Sequence, residues 1–270
     1  MRTLTLTPTP ALAGEVIIPG SKSISNRALL LAAEAEGTTR IQNLLDSDDI
    51  RFMLEALKQL GVQLQAADGE WLITGAAGPL RYESEPLRLD LGLAGTAFRP
   101  LAAALAAGRG RFVLDGVERM RERPVGPLVD GLRQLGAGIS YLGAEGFPPI
   151  EVLGTGLKAG LVRMPGDLSS QFLTSLLMAA PLADGPVTVE IEGEQVSKPY
   201  LAITLDLMSR FGVVVEHEDF QRFQIEPAAY RSPETLLVEG DASSASYFLA
   251  AGAIAGSGVT VYGVGADSVQ

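Results

Sequence analysis

Three stretches of this 270-residue chain carry one pattern, an amphipathic helix that stops at a glycine: Leu54 to Val62 around Gly61, Val129 to Ala137 around Gly136, and Leu205 to Val213 around Gly212. The glycines recur at intervals of about 75 residues, and a short β-prone run follows each: Val62 to Gln65, Gly138 to Tyr141 and Val213 to Val215. A self-similar period constrains the fold strongly, because each unit has to bury its apolar surface against its neighbours.

Each unit also opens on a second kind of helix, Ala28 to Ala35, Leu101 to Ala107 and Phe172 to Ala180, apolar nearly all round. A helix without a polar face belongs in the interior. Strands follow at Thr39 to Asn43, Arg111 to Asp115 and Pro186 to Ile191, with further strands at Glu70 to Thr74, Leu87 to Leu89 and Arg222 to Ile225. The implied architecture is helix, strand, helix, strands, three times over, with the apolar helices together in the middle and sheets and outer helices around them. A fourth unit begins at Gly240-Asp241-Ala242-Ser243-Ser244 and runs through the apolar stretch Ala245 to Ala255 to a strand at Val259 to Tyr262. By the pattern of the other three, its amphipathic helix comes next, so the unit is incomplete within this sequence. Half a repeat cannot easily bury its own apolar helix.

Composition narrows the chemistry. A hydrophobic content of 47% supports a substantial core, while 21 basic against 32 acidic residues give a formal charge of -11. That balance argues against a general affinity for nucleic acid or an anionic membrane, so an anionic ligand needs a local cluster. With no cysteine and a single histidine, thiolate catalysis, disulfides and the usual structural zinc sites are excluded, and no cofactor is called for. The start, Met1 to Pro8, has no apolar signal core, and apolar runs such as Phe172 to Ala183 fall short of the roughly 18 residues a membrane span needs. The expectation is a soluble, untargeted, cytoplasmic protein.

Immediately before each apolar helix sits a small polar cluster: Gly20-Ser21-Lys22-Ser23-Ile24-Ser25-Asn26-Arg27, Ala94-Gly95-Thr96, and Gly166-Asp167-Leu168-Ser169-Ser170-Gln171. Free backbone N–H groups, the positive end of the helix dipole, hydroxyl side chains and glycines make an anion site of a helix start. Serine and glycine there are also ordinary caps. Three clusters in register, with Lys22 and Arg27 in the first, point to a phosphate- or carboxylate-binding cleft. Lys22 does not fit a nucleotide-binding P-loop, because Ser21 stands where that motif has glycine. Arg119, Arg121 and Arg123 form a second basic cluster, and His217, between Glu216 and Glu218, reads as an exposed structural residue.

Pro19-Gly20-Ser21-Lys22-Ser23 with Asn26-Arg27-Ala28, Asn43 to Asp49, Arg121-Glu122-Arg123-Pro124, Ser169-Ser170-Gln171-Phe172, Ser197-Lys198-Pro199-Tyr200 and Gly240 to Ser244 together resemble the enolpyruvylshikimate-phosphate synthase family across the whole chain. The resemblance implies an inside-out α/β barrel of the enolpyruvyl transferase type, with three repeats per globe and two globes. It also implies transfer of the enolpyruvyl group of phosphoenolpyruvate to the 5-hydroxyl of shikimate 3-phosphate, without metal. Position by position, Ser23 and Arg27 resemble residues that hold the shikimate carboxylate and hydroxyls. Ser169, Ser170 and Ser197 resemble those that hold its phosphate, and Tyr200 resembles a contact to the ring. Lys22, Gly95, Arg123 and Gln171 resemble the phosphoenolpyruvate side, where the family's inhibitor glyphosate also binds; Lys22 and Gln171 border both ligands, and Lys22 alone is a catalytic candidate.

Leu93 departs from the asparagine the family usually has before Ala-Gly-Thr. In the family the acidic groups that exchange protons, a further lysine and more arginines come from the second globe, and no residue here replaces them by motif. Residues 20–239 are thus expected to form the shikimate-3-phosphate-binding globe, and 1–19 with 240–270 an incomplete part of the second. Three other readings compete: the sibling transferase acting on UDP-N-acetylglucosamine, a non-catalytic binding module or half of a split enzyme completed by a separate second-globe fragment, and an RNA-end-processing enzyme of related fold. Ser-Ser-Gln-Phe and Ser-Lys-Pro-Tyr disfavour the first; the charge of -11 disfavours the last.

Overall fold

In the computed structural model, which describes residues 4, 5, 7, 11–84 and 86–270 (Ser257 by its backbone only), the sequence period becomes a threefold recurrence of one unit. After β1 (Leu12–Ile17), the first unit runs α1 (Lys22–Glu34), β2 (Thr38–Gln42), α2 (Asp48–Gln59), β3 (Gln63–Ala67) and β4 (Glu70–Thr74). The second runs β5 (Leu87–Asp90), α3 (Gly95–Ala107), β6 (Arg109–Asp115), α4 (Gly126–Gln134), β7 (Gly138–Tyr141) and β8 (Ile150–Thr155). The third runs β9 (Gly160–Pro165), α5 (Ser170–Ala179), β10 (Val187–Glu192), α6 (Lys198–Arg210), β11 (Glu216–Glu218) and β12 (Arg222–Ile225). Then come β13 (Thr235–Leu237), α7 (Ala242–Ala255) and β14 (Gly256–Tyr262).

One expected strand is displaced. Val213 to Val215 leave the helix through Gly212 at φ +84° and alternate in burial, with Val214 exposed between two core valines, but they form no ladder. Pairing with β12 begins only at Glu216.

Each unit owns a four-stranded sheet in which a parallel pair continues into an antiparallel meander: β5-β6-β8-β7, β9-β10-β12-β11 and β13-β2-β4-β3. In the second and third units the parallel partner precedes the buried helix in sequence. In the first it is β13, from the far end of the third unit, while β1 pairs in parallel with β14. The chain therefore exchanges first strands between the first and fourth units, and its two passes cross side by side at Pro19-Gly20 and Glu239-Gly240. Ser21 N–H donates to the Glu239 carbonyl at 2.8 Å and Asp241 N–H to the Pro19 carbonyl at 2.9 Å. The crossing is so close that a Cβ on Gly20 would lie 2.0 Å from the Asn43 carbonyl oxygen, which only glycine avoids.

The apolar helices lie inside, as their composition requires. In α1 every residue from Ile24 to Glu34 is buried, in α3 every residue but Thr96, and in α5 every residue but Gln171. The alanines of α3 let it pack directly against α5 and α1. What stays open on all three is the first turn. By contrast α7, equally apolar, buries only Ala245 among its described side chains and leaves Tyr247, Phe248, Leu249 and Ile254 exposed beside the β1–β14 pair. Among the described residues no helix is long and apolar enough to cross a membrane.

At the closed end of α1 the Glu34 carboxyl is buried and neither of its oxygens has a hydrogen-bond partner. Burial pushes its pKa up from 4.5 to about 8. Between those two values the unfolded chain releases the proton while the folded chain keeps it, so this group lowers stability as pH rises from 4.5 to about 8 and adds no further change above. Glu34→Gln should therefore match the parent near pH 4.5 and be more stable by on the order of a few kcal/mol at pH 8, measured by urea unfolding at both values. A constant difference across that range would show that Glu34 does not titrate in this way.

Candidate functional site

The open first turns of the buried helices meet in one cleft, and side-chain hydrogen bonds hold them there. Asn26 on α1 donates through Nδ2 to Thr96 Oγ1 on α3 at 3.0 Å. Arg99 on α3 donates to the Gln171 side-chain oxygen on α5 and, at 3.0 Å, to the Pro124 carbonyl, while stacking 4.9 Å above the Phe172 ring. Arg27 on α1 reaches across to α5 and α6, donating to Thr174 Oγ1 at 3.2 Å and Thr204 Oγ1 at 2.9 Å.

The helix starts are left nearly uncapped. Ser21 before α1, Ala94 before α3 and Ser197 before α6 make no side-chain cap bond, and Ser169 before α5 accepts only a long one, 3.4 Å from the Gln171 N–H. The leading amides of these helices have no intrahelical acceptor and face the cleft with the positive end of each dipole. Ser197 sits in the left-handed region at φ 58°, a conformation that costs a non-glycine residue energy and turns the chain sharply into α6.

Among the described residues, Arg27, Arg99 and Arg123 have no carboxylate partner. Burial depresses the first two guanidiniums to about 10, Arg99 further through the like charge of Arg123. Two desolvated cations without counter-charge make a site that favours an anion. The rest of the second basic cluster is neutralised at home: Arg121 pairs with Asp115 at 2.6 Å and Arg119 with Glu122. Only Arg123 turns to the helix starts, donating to the Leu93 carbonyl at 3.0 Å and lying over Gly95. Leu93, Arg119, Glu122 and Arg123 line a shallow cavity of about 320 Å³. Leu93 itself is exposed and offers no side-chain hydrogen bond there.

Of the residues singled out in the sequence, Lys22, Ser23, Arg27, Gly95, Arg123, Ser169, Ser170, Gln171, Ser197 and Tyr200 all lie on or beside these four helix starts. They are not equally free. Lys22 Nζ stands 3.3 Å from Asp49 Oδ2, Ser170 is buried, and Arg27 is largely occupied by its neighbours, whereas Ser169, Ser197 and Tyr200 are exposed. Asp49, Arg99, Thr174 and Thr204 had no role on sequence grounds. A signal for Arg99 existed: it is the one charge in the apolar helix Gly95–Ala107. His217 is exposed and stacked on Phe220, 4.4 Å between ring centroids, as its flanking glutamates suggested.

Fold and site define a class, an α/β repeat protein whose buried helices begin together beside guanidiniums without counter-charge. The particular family follows from comparison with known proteins, and the chain belongs to it: the model of the EPSP synthase (3-phosphoshikimate 1-carboxyvinyltransferase) family matches residues 6–270. Relatives named 3-phosphoshikimate 1-carboxyvinyltransferase from Shewanella denitrificans and Vibrio cholerae are 59% and 58% identical over 273 and 272 residues; each match covers 100% of this chain and 64% of the relative. A solved EPSP synthase from Acinetobacter baumannii superposes with a TM-score of 0.83 at 28% identity, over 95% of this chain and 57% of that one. The chain thus spans about 64% of the length of the curated relatives it matches.

A Cβ at Gly95 would lie 2.7 Å from Arg123 Nη1, the far end of a flexible side chain, so Gly95→Ala should fold with stability within about 1 kcal/mol of the parent yet displace the Arg123 guanidinium. The expected result is a near-unchanged melting temperature with the Arg123 guanidinium moved off the Leu93 carbonyl in a crystal structure of the variant. A guanidinium still at 3.0 Å from that carbonyl would show that Gly95 does not set its position.

Proposed function

We propose that this chain supplies the shikimate-3-phosphate-binding side of an enzyme that transfers the enolpyruvyl group from phosphoenolpyruvate to the 5-hydroxyl of shikimate 3-phosphate, releasing phosphate. The observation that carries the reading is the meeting of four helix starts, three without a side-chain cap and one with a long one, with guanidiniums that lack counter-charges. Both substrates bear a phosphate and a carboxylate, and an intermediate that joins them bears all four groups, so preorganised cations and N–H donors match the ligand. In this reading Ser169, Ser170 and Ser197 take the 3-phosphate at α5 and α6, Ser23 and Arg27 the carboxylate and hydroxyls at α1, and Tyr200 the ring. Lys22, Gly95, Arg123 and Gln171 take phosphoenolpyruvate, and glyphosate would compete there.

Residues 20–239 form one globe in this proposal. In support, the buried core runs from Ile24 to Val238, and the chain crosses between units at Gly20 and Gly240. The strand pair β1–β14 and the exposed face of α7 belong to a second globe, whose remaining groups would close over the substrates, exchange the protons and exclude water. Binding by this chain then does not require turnover by it. A cytoplasmic setting goes with the shikimate route.

Loss of hydrogen bonds to a phosphate should cost roughly 1.5 to 3 kcal/mol. Calorimetry of shikimate 3-phosphate with Ser169→Ala, Ser170→Ala is accordingly expected to show affinity lower by at least about tenfold than for the parent chain. Equal affinity would remove α5 from the phosphate site.

A further inference from the structure

Arg27 presents five N–H groups, and the structure accounts for four of them. Nε donates to Thr204 Oγ1 at 2.9 Å, one Nη1–H to the Ser23 carbonyl at 2.8 Å, and Nη2 to Thr174 Oγ1 at 3.2 Å and, at 3.5 Å, to the Tyr200 carbonyl. The two threonines form a closed set with it. Thr204 Oγ1 donates its own proton to the Tyr200 carbonyl at 2.8 Å, so toward Arg27 it acts as acceptor. Thr174 Oγ1 lies 3.0 Å from Thr204 Oγ1; since the Thr204 proton is already committed, Thr174 donates and Thr204 accepts, which leaves the Thr174 lone pairs turned to Nη2. Every proton in the set has one direction, and both hydroxyls are buried, Thr174 at 2% and Thr204 at 0% exposure.

We propose that Thr174 and Thr204 are positioning residues that lock the Arg27 guanidinium so that its remaining Nη1–H points into the cleft beside Ser23, toward a ligand carboxylate. The inference rests on the function proposed above and adds to it residues on α5 and α6 that touch no substrate. A guanidinium lying 6% exposed without a carboxylate partner is held at a cost, and its free N–H is worth that cost when it meets an anion in a fixed direction. A hydrophobic residue of threonine's shape at either position would leave the packing intact and release the guanidinium to turn.

The test uses the 270-residue chain in calorimetry with two ligands, shikimate 3-phosphate and an analogue in which a hydroxymethyl group replaces the carboxylate. Thr204→Val and Thr174→Val should each weaken shikimate 3-phosphate by about tenfold, and Thr204→Ser, which keeps the hydroxyl, should bind within about twofold of the parent. Against the analogue all of these variants should bind as the parent does. Unchanged affinity of the valine variants for shikimate 3-phosphate would overturn the proposal, and so would equal losses for both ligands, since those would report loosened packing and not aim. If Thr204→Val does not fold, Thr174→Val, which leaves the Nε–Thr204 bond in place, carries the same comparison, and the same two outcomes would overturn the proposal. A parent chain that binds neither ligand would overturn the functional reading itself, an outcome distinct from a parent that binds with indifferent threonines.

Discussion

The structure depends on one constraint: helices α1, α3 and α5 have no polar face and must be surrounded on all sides. Sheets and outer amphipathic helices can cover such helices along their length, but at the N-terminal end the first amides lack partners and cannot be sealed in apolar packing without cost. The result is a molecule whose interior is closed except where its central helices begin. Lys22, Ser23, Thr96 and Gln171 are the residues of those helices that remain outside full burial, and all stand in the first turn. The cleft is thus where the architecture itself leaves the first helical amides without intrahelical acceptors, the arrangement that suits an anion.

Charge follows the same logic. In a protein of net charge -11, many arginines meet a carboxylate on the surface, as Arg40, Arg51, Arg111 and Arg121 do. Such exposed pairs contribute little to stability. Arg27 and Arg99 differ: they are buried among hydroxyls, carbonyls and an aromatic ring, and their acidity is raised because nothing nearby repays the loss of water. Neutral acceptors fix the direction of a guanidinium without cancelling its charge. The overall acidity disfavours anions over most of the surface, and the local surplus of positive charge favours them at the helix starts.

The exchange of first strands has a different consequence. Because β13 completes the sheet of the first unit and β1 pairs with β14, neither end of the described chain can be lifted away without breaking a ladder at the other side. Glu239 reinforces the crossing, accepting from Ser268 at 2.6 Å, while Gln270 donates to the Gly240 carbonyl at 2.8 Å. Yet α7 lies with its aromatic and aliphatic side chains open beside the β1–β14 pair, unlike the three enclosed apolar helices.

Much of this was legible in the sequence. Glycines at a fixed interval, each ending an amphipathic helix, gave the repeat; helices of alanine and leucine with almost no charge gave the interior; and the polar clusters before those helices gave the place of the cleft. These are local properties, set by backbone freedom and by the side chains of one turn. The sequence could not show that β13 and β1 change places, because strand pairing across roughly 200 residues depends on which edges are left open after the units pack. Nor could it show that Arg121 is neutralised while Arg123 has no carboxylate partner among the described residues, or that Thr174 and Thr204 hold Arg27 from two other helices. A threonine in an apolar helix looks like filler until the partner that needs its lone pair is brought within hydrogen-bonding distance. Which polar groups find each other is decided by the packing of elements far apart in the chain, and only the tertiary structure determines that.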